Sequence, residues 1–131
     1  MQLKNFMLLL ILGFFVSQFA SAQDTAGSSI QQKKFDRLMK KKNTIVLDVR
    51  TPEEYSSGYI GQALNYNVLD SLNFVNTIAS LDKHKKYILY CKSGRRSGKA
   101  LFMMKNMGFR KVYHLRDGVT NWKGDLKSLY K

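Results

Sequence analysis

The chain has 131 residues, 44% of them hydrophobic, with 22 Lys and Arg against 9 Asp and Glu and a formal net charge of +13. Such a length and apolar content exclude both a multidomain protein and a disordered chain. The charge attracts anions of every kind, nucleic acid, acidic membrane surfaces and small oxyanions included, although the short clusters Lys40 to Lys42 and Lys83, Lys85 and Lys86 read first as solvated turns.

Met1 to Asn5 carries one positive charge, Lys4, and is followed by a nearly unbroken apolar run from Phe6 to Phe19 and then by Ala20, Ser21 and Ala22. Small residues at those positions after such a run read as a signal peptide over residues 1–22, cleaved before Gln23, with an uncleaved anchor as the alternative. The run falls short of the roughly 20 apolar residues of a membrane span, so no stable insertion is expected after cleavage. The expected location is exported, periplasmic or secreted, where nucleic acid is the least available anion, and no nucleic-acid partner is expected.

Residues 23–34 are read as a flexible N-terminal segment and residues 35–131 as one domain. Helical spacing of apolar residues sets in at Ile30 and continues through Phe35, Leu38 and Met39 to the cations at Lys40 to Lys42. Thr44 to Val49 is a β-branched, apolar stretch of strand length. In Thr51-Pro52-Glu53-Glu54 a cap residue precedes a proline and two acids, which predicts a short helix ending at Gly58. Ala63 to Val68 predicts a second strand, weakened by Asn65 and Asn67, and Asp70 to Leu81 a helix with Leu72, Val75, Ile78 and Ala79 on its apolar face.

Lys86 to Tyr90 predicts a third strand, and a helix follows from Ser97 to about Met107, burying Ala100, Leu101 and Met104 and stopping at Gly108. Lys111 to Leu115 predicts the last strand, Asp117-Gly118 a turn, and Asn121 to Lys131 a final helix. Strands alternating with helices at this spacing predict an α/β fold, a small parallel sheet flanked by helices on both faces.

The chain has one cysteine, Cys91, so it forms no intramolecular disulfide. Ligands of open parallel sheets bind beyond the carboxyl ends of the strands, which is where Cys91 is expected. The loop Cys91-Lys92-Ser93-Gly94-Arg95-Arg96 then leads into a helix start, so backbone N–H groups and the cations Lys92, Arg95 and Arg96 are expected to surround the sulfur as an anion cradle. The alternative is that Cys91 is the last buried residue of an apolar strand. No metal or cofactor is expected. His84 reads as a surface residue and His114 as a sheet residue, neither with a role.

Asp48-Val49-Arg50-Thr51-Pro52-Glu53-Glu54-Tyr55, Gly58-Tyr59-Ile60, Ala63-Leu64-Asn65, Tyr90-Cys91-Lys92-Ser93-Gly94-Arg95-Arg96-Ser97, Gly108-Phe109, Val112-Tyr113 and Gly118 with Trp122 resemble the rhodanese family in order and spacing. The resemblance runs from about Phe35 to Trp122 and implies a single rhodanese-like domain. It implies Cys91 as the persulfide-forming residue, Lys92, Ser93, Gly94, Arg95, Arg96 and Ser97 as its substrate-binding loop, and an arginine at Arg96 that closes that loop. Asp48 and Arg50 are expected behind it as supporting groups, in a structural charge cluster with Glu54 near the sheet end. A Cys91 to Arg96 loop of six residues resembles the sulfurtransferases; the related phosphatases and arsenate reductases have seven. Tyr59 stands where the family commonly has His, Gln62 where it has Gly, and Asp117-Gly118 where it often has two glycines, which puts local turn geometry and access in question.

Lowering a thiol from about 8.5 by about two units raises the thiolate fraction about 25-fold but costs nearly tenfold in nucleophilicity. The cradle is therefore expected chiefly to bind an anion and to stabilise a persulfide. The implied activity is an exported sulfurtransferase that moves a sulfane sulfur from a small anionic donor, thiosulfate or a persulfide, to a thiol or cyanide acceptor through Cys91. The alternative is a sulfur carrier or docking module with little turnover. A charge-driven anion or nucleic-acid binder is a third class, marked by steeply salt-dependent affinity that survives loss of Cys91.

Overall fold

In the computed structural model, which describes residues 28–129, five strands form one sheet: β1 (Ser29–Ile30), β2 (Thr44–Asp48), β3 (Leu64–Asn65), β4 (Lys86–Tyr90) and β5 (Val112–Leu115). They pair in the order β1-β5-β4-β2-β3, and every pairing is parallel. The connections are the helices α1 (Gln32–Met39), α2 (Pro52–Ser57), α3 (Ser71–Ala79) and α4 (Arg95–Asn106), and a 3-10 turn follows at Val119–Asn121. This is the α/β architecture that the alternation of strand and helix signals predicts. The predicted signal peptide lies outside the described residues, among which no helix is long and apolar enough to cross a membrane.

The centre of the sheet is the β2–β4 pair, in register from Thr44 opposite Lys86 to Asp48 opposite Tyr90. Covered on both faces, these strands carry continuous apolar runs rather than an alternation of apolar and polar residues. Successive side chains still point to opposite faces, which divides the core in two. Leu47, Tyr87, Leu89 and Cys91 face Phe74 and Ile78 of α3 and Ala100, Leu101 and Met104 of α4. Val46, Ile88 and Tyr90 lie on the other face with Phe35 of α1, Ile30 and Leu115, and Trp122 packs edge-on against Phe35. Buried apolar side chains contribute about 1.5–3 kcal/mol each, and this two-sided packing holds the end of β4 in place.

Helix α2 begins as its residues require. Thr51 Oγ1 accepts a hydrogen bond from the Glu54 N–H at 3.3 Å, and the Glu54 carboxylate accepts one from the Thr51 N–H at 3.1 Å. Pro52 fills the first position, where no amide donor is needed.

Four expectations are corrected in detail. The segment 28–34, read as flexible, contains β1 and the start of α1, because Ser29 and Ile30 pair with His114 and Leu115 and Ile30 is buried. In α3 the inward face is Phe74 and Ile78, while Leu72 is 75% exposed; the larger aromatic ring takes the core position. The strand at 63–68 shrinks to Leu64–Asn65: beyond it the Asn65 side-chain amide donates to the Asp48 and Arg50 carbonyls, and the Tyr66 and Val68 N–H groups donate to the Asp48 and Val49 carbonyls, in place of a regular ladder. No helix forms between Trp122 and Leu129: Lys127 exchanges backbone hydrogen bonds of 2.8 and 2.9 Å with Tyr59, which satisfies this stretch as an isolated antiparallel bridge.

Candidate active site

Cys91 follows β4 directly, and its side chain continues the Tyr87–Leu89 row toward α4 at the carboxyl end of the sheet. The loop then turns so sharply that Gly94 has φ +97°, a left-handed conformation that suits glycine. The turn also brings Gly94 against the next strand's exit: a Cβ there would lie 1.9 Å from the Arg116 carbonyl oxygen. The result is a donor aimed at sulfur, because the Gly94 N–H donates to Sγ at 3.1 Å. Ser97, in the first turn of α4, places its hydroxyl oxygen 3.5 Å from the same sulfur. From below, the Val119 N–H donates to the Cys91 carbonyl at 2.9 Å, and the Thr120 N–H and hydroxyl both donate to the Lys92 carbonyl, at 3.0 and 2.9 Å.

These contacts set the state of the thiol. Burial pushes it up, but the Ser97 hydroxyl and the amides of Ser97, Ser93 and Gly94 together outweigh burial, and the Cys91 thiol lies below its ordinary value. Hydrogen bonds to the charged form do this work.

The cations are arranged differently from the expectation. Lys92, Ser93 and Arg95 are exposed on the outer rim. Arg96 turns away from the sulfur and grips the Glu54 carboxylate with two hydrogen bonds of 2.6 and 2.8 Å, tying the loop to α2. Cys91 itself is 1% exposed. Instead of lying at the floor of an open bowl ringed by three cations, the sulfur is covered by Gly94, Ser97 and the loop backbone. A carboxylate on α2 outcompetes it for Arg96, since a fork-to-fork ion pair is stronger than a contact between guanidinium and a thiol.

Arg96 holds the Glu54 carboxyl down at about 2. Because that folded-state value lies below the ordinary carboxylate range, the stabilisation is complete above about pH 4.5 and is lost as pH falls toward about 2. With both side chains partly solvated, the ion pair is expected to contribute about 1–2 kcal/mol. Glu54→Gln should therefore be less stable than the parent by that amount at pH 7, and the two urea midpoints should converge near pH 2.

Asp48 and Arg50, expected behind the loop, form a buried pair. The guanidinium donates to Asp48 at 2.6 to 3.0 Å and to the Gly58 carbonyl at 2.6 Å, and it lies 5.5 Å from the Tyr90 ring. Tyr90 and Cys91 point to opposite faces. The pair therefore supports the Tyr90 side of the sheet end rather than the sulfur.

His114 is the residue that sequence reasoning left without a role. Its Nδ1 lies 2.9 Å from Ser97 Oγ, so a line of polar atoms runs from Cys91 through Ser97 to His114. Burial lowers its pKa, favouring the neutral ring. The signal was present in the strand period: His114 sits opposite Leu89, and so shares the face of Cys91.

A parallel sheet whose central strand ends in a hydrogen-bonded, ionisable thiol defines an α/β thiol protein of the single-cysteine type. More narrowly, the family model of the rhodanese-like domain matches residues 31–125, and the chain belongs to that family. A rhodanese-like domain protein from Staphylococcus aureus superposes with a TM-score of 0.65 at 27% identity, covering 77% of this chain and 97% of that one. The rhodanese-like domain of the Anabaena Alr3790 protein shares the fold, with a TM-score of 0.68 at 19% identity over 78% of this chain and 80% of that one. Among curated proteins, the tRNA uridine(34) hydroxylase of Pelagibacter ubique is 32% identical over 107 residues. The match takes in 82% of this chain and 36% of the relative, so the chain spans about a third of that enzyme's length.

These relatives correct two expectations. Their names give an RNA-modifying activity, which overturns both the reading as an exported sulfurtransferase serving small donors and acceptors and the expectation that nucleic acid has no part. The loop motif could not reveal this, because it specifies how a thiol is held and not what is brought to it.

Proposed function

We propose that this chain is an enzymatic rhodanese-like domain acting on tRNA, at the uridine of position 34, with Cys91 as its nucleophilic thiolate. The observation that carries the chemistry is the Gly94 N–H on Cys91 Sγ, which favours the thiolate. The RNA reading is supported by the tRNA uridine(34) hydroxylases that the chain resembles. It is supported also by the charge of +13 and by exposed cations at the loop mouth, Lys92, Arg95 and Arg116. A concavity of about 650 Å³ at the opposite end of the sheet, lined in part by Lys41, Lys85, Lys86 and Lys111, offers a further surface for phosphates. A narrower reading concerns reaction type alone: a sulfurtransferase step at Cys91 is supported by the six-residue loop from Cys91 to Arg96, and mass spectrometry of Cys91 for one added sulfur atom checks it.

The test is to incubate the full chain with tRNA carrying uridine 34 and to analyse that nucleoside by mass spectrometry. Modification by the parent and background levels with Cys91→Ser are expected, while tRNA affinity stays within about twofold and falls steeply with salt. Equal modification by the variant would remove Cys91 from the chemistry; a parent that does not bind tRNA would remove the RNA reading.

A further inference from the structure

The line Cys91–Ser97–His114 has an internal logic that neither the family match nor the relatives' names assign. The Ser97 hydroxyl has three neighbours: Cys91 Sγ at 3.5 Å, the Gly94 carbonyl at 3.2 Å and His114 Nδ1 at 2.9 Å. It owns a single proton and can donate to only one of them at a time. If His114 Nδ1 carries a hydrogen, that hydrogen points at Ser97 Oγ and leaves the serine proton for another acceptor. If Nδ1 is bare, it takes the serine proton, and the oxygen is open to the thiol S–H.

We infer that His114 is a positioning residue whose choice of ring nitrogen for its proton is coupled, through Ser97, to the ionisation of Cys91. In the thiol state the S–H donates to Ser97 Oγ, the serine O–H donates to His114 Nδ1, and the imidazole holds its proton on Nε2. On ionisation the sulfur's proton passes to Ser97, the serine's own proton passes to Nδ1, and the Nε2 proton leaves to solvent. One proton has gone to bulk, the sulfur bears the negative charge, and the ring is neutral before and after. Nδ1–H now donates to Ser97, and Ser97 O–H donates to the thiolate, each bond polarising the next. Without His114 the Ser97 oxygen loses the N–H that polarises its own O–H, the Gly94 carbonyl competes for the serine proton at 3.2 Å, and the hydrogen bond to the thiolate is weakened.

The charged groups around this line are held by other partners, and Arg96 among them also acts on the sulfur through space. His114 sits between Leu89 of β4 and Ser29 of β1, with Ser97 and Gly98 of α4 above it, and burial alone shifts its pKa. Toward the sulfur, Arg96 is held by Glu54, Asp48 and Arg50 hold each other, Arg116 lies 3.6 Å from Asp117, and Lys92 and Arg95 stand on the exposed rim.

The inference shares with the proposed function only the premise that Cys91 reacts as a thiolate, so its test uses no RNA. The rate of Cys91 alkylation by iodoacetamide is measured against pH for the parent, Ser97→Ala, His114→Phe and His114→Gln. At pH 7, Ser97→Ala and His114→Phe are expected to react about tenfold more slowly, with the midpoint moved upward. His114→Gln should recover most of the rate, since its side-chain N–H can stand in for Nδ1–H. The double variant Ser97→Ala/His114→Phe should be no slower than either single one. An unchanged midpoint in His114→Phe, or additive losses in the double variant, overturns the inference. Nitrogen-15 NMR of the parent provides an independent measure: the His114 tautomer should switch from Nε2–H to Nδ1–H across the thiol titration, and a fixed tautomer also overturns it. Loss of tRNA modification with these results intact would defeat only the RNA reading.

Discussion

Arg50→Leu is expected to destabilise the protein by about 3–5 kcal/mol, a large share of the roughly 5–15 kcal/mol available to a domain of this size. Asp48 is fully buried and Arg50 is 5% exposed, so the substitution leaves the carboxylate with the backbone N–H of residue 50, 3.0 Å from Oδ1, and no water to replace the lost guanidinium. The same change removes the donor to the Gly58 carbonyl and the cation over the Tyr90 ring. The double variant Asp48→Asn/Arg50→Leu should recover part of the loss, because most of the cost comes from the orphaned charge and not from the missing attraction. Chemical denaturation of the three proteins reads the difference as a shift in midpoint at constant slope. A single variant as stable as the parent would show that the Asp48 carboxylate is satisfied by other groups.

Gly94→Ala is expected to cost about 2–5 kcal/mol, combining the left-handed backbone penalty with a steric overlap that no rotamer relieves. The obstruction is the Arg116 carbonyl oxygen, fixed backbone at the exit of β5. The loop must therefore move away from the sheet, and the Gly94 N–H must leave the sulfur. Two measurements should change together: the thermal midpoint falls, and the pH at which Cys91 is half alkylated rises. A variant with normal stability but an altered titration would place the effect in the hydrogen bond alone.

Much of the fold was legible because its signals are local. The β-branched run of β2, the Thr51-Pro52-Glu53-Glu54 start of α2 and the Gly108 stop after α4 each follow from the residues on the spot. The misses share a cause, which is that a distant partner decides. Leu72 fits a helical face as well as Phe74 does, and only packing into the core with Leu47, Leu89 and Leu101 selects the ring. The segment after Trp122 has the composition of a helix but finds Tyr59 across the molecule. At the site, the cysteine and the glycine turn were readable from their place after a strand, and Ser97 entered through the family resemblance. That Arg96 would be claimed by Glu54, 42 residues earlier, depends on how α2 is docked. His114 was hidden for the same reason, since its role exists only once β5 lies beside β4.

The two outermost strands of the sheet, β1 and β3, are each two residues long. An incoming chain therefore finds little exposed ladder to extend, and the margins are too brief to nucleate the edge-to-edge pairing that starts fibrils and swapped assemblies. The described domain should therefore resist association through its sheet margins, even though its interior strands, taken as isolated peptides, have the apolar, β-branched composition of aggregating segments.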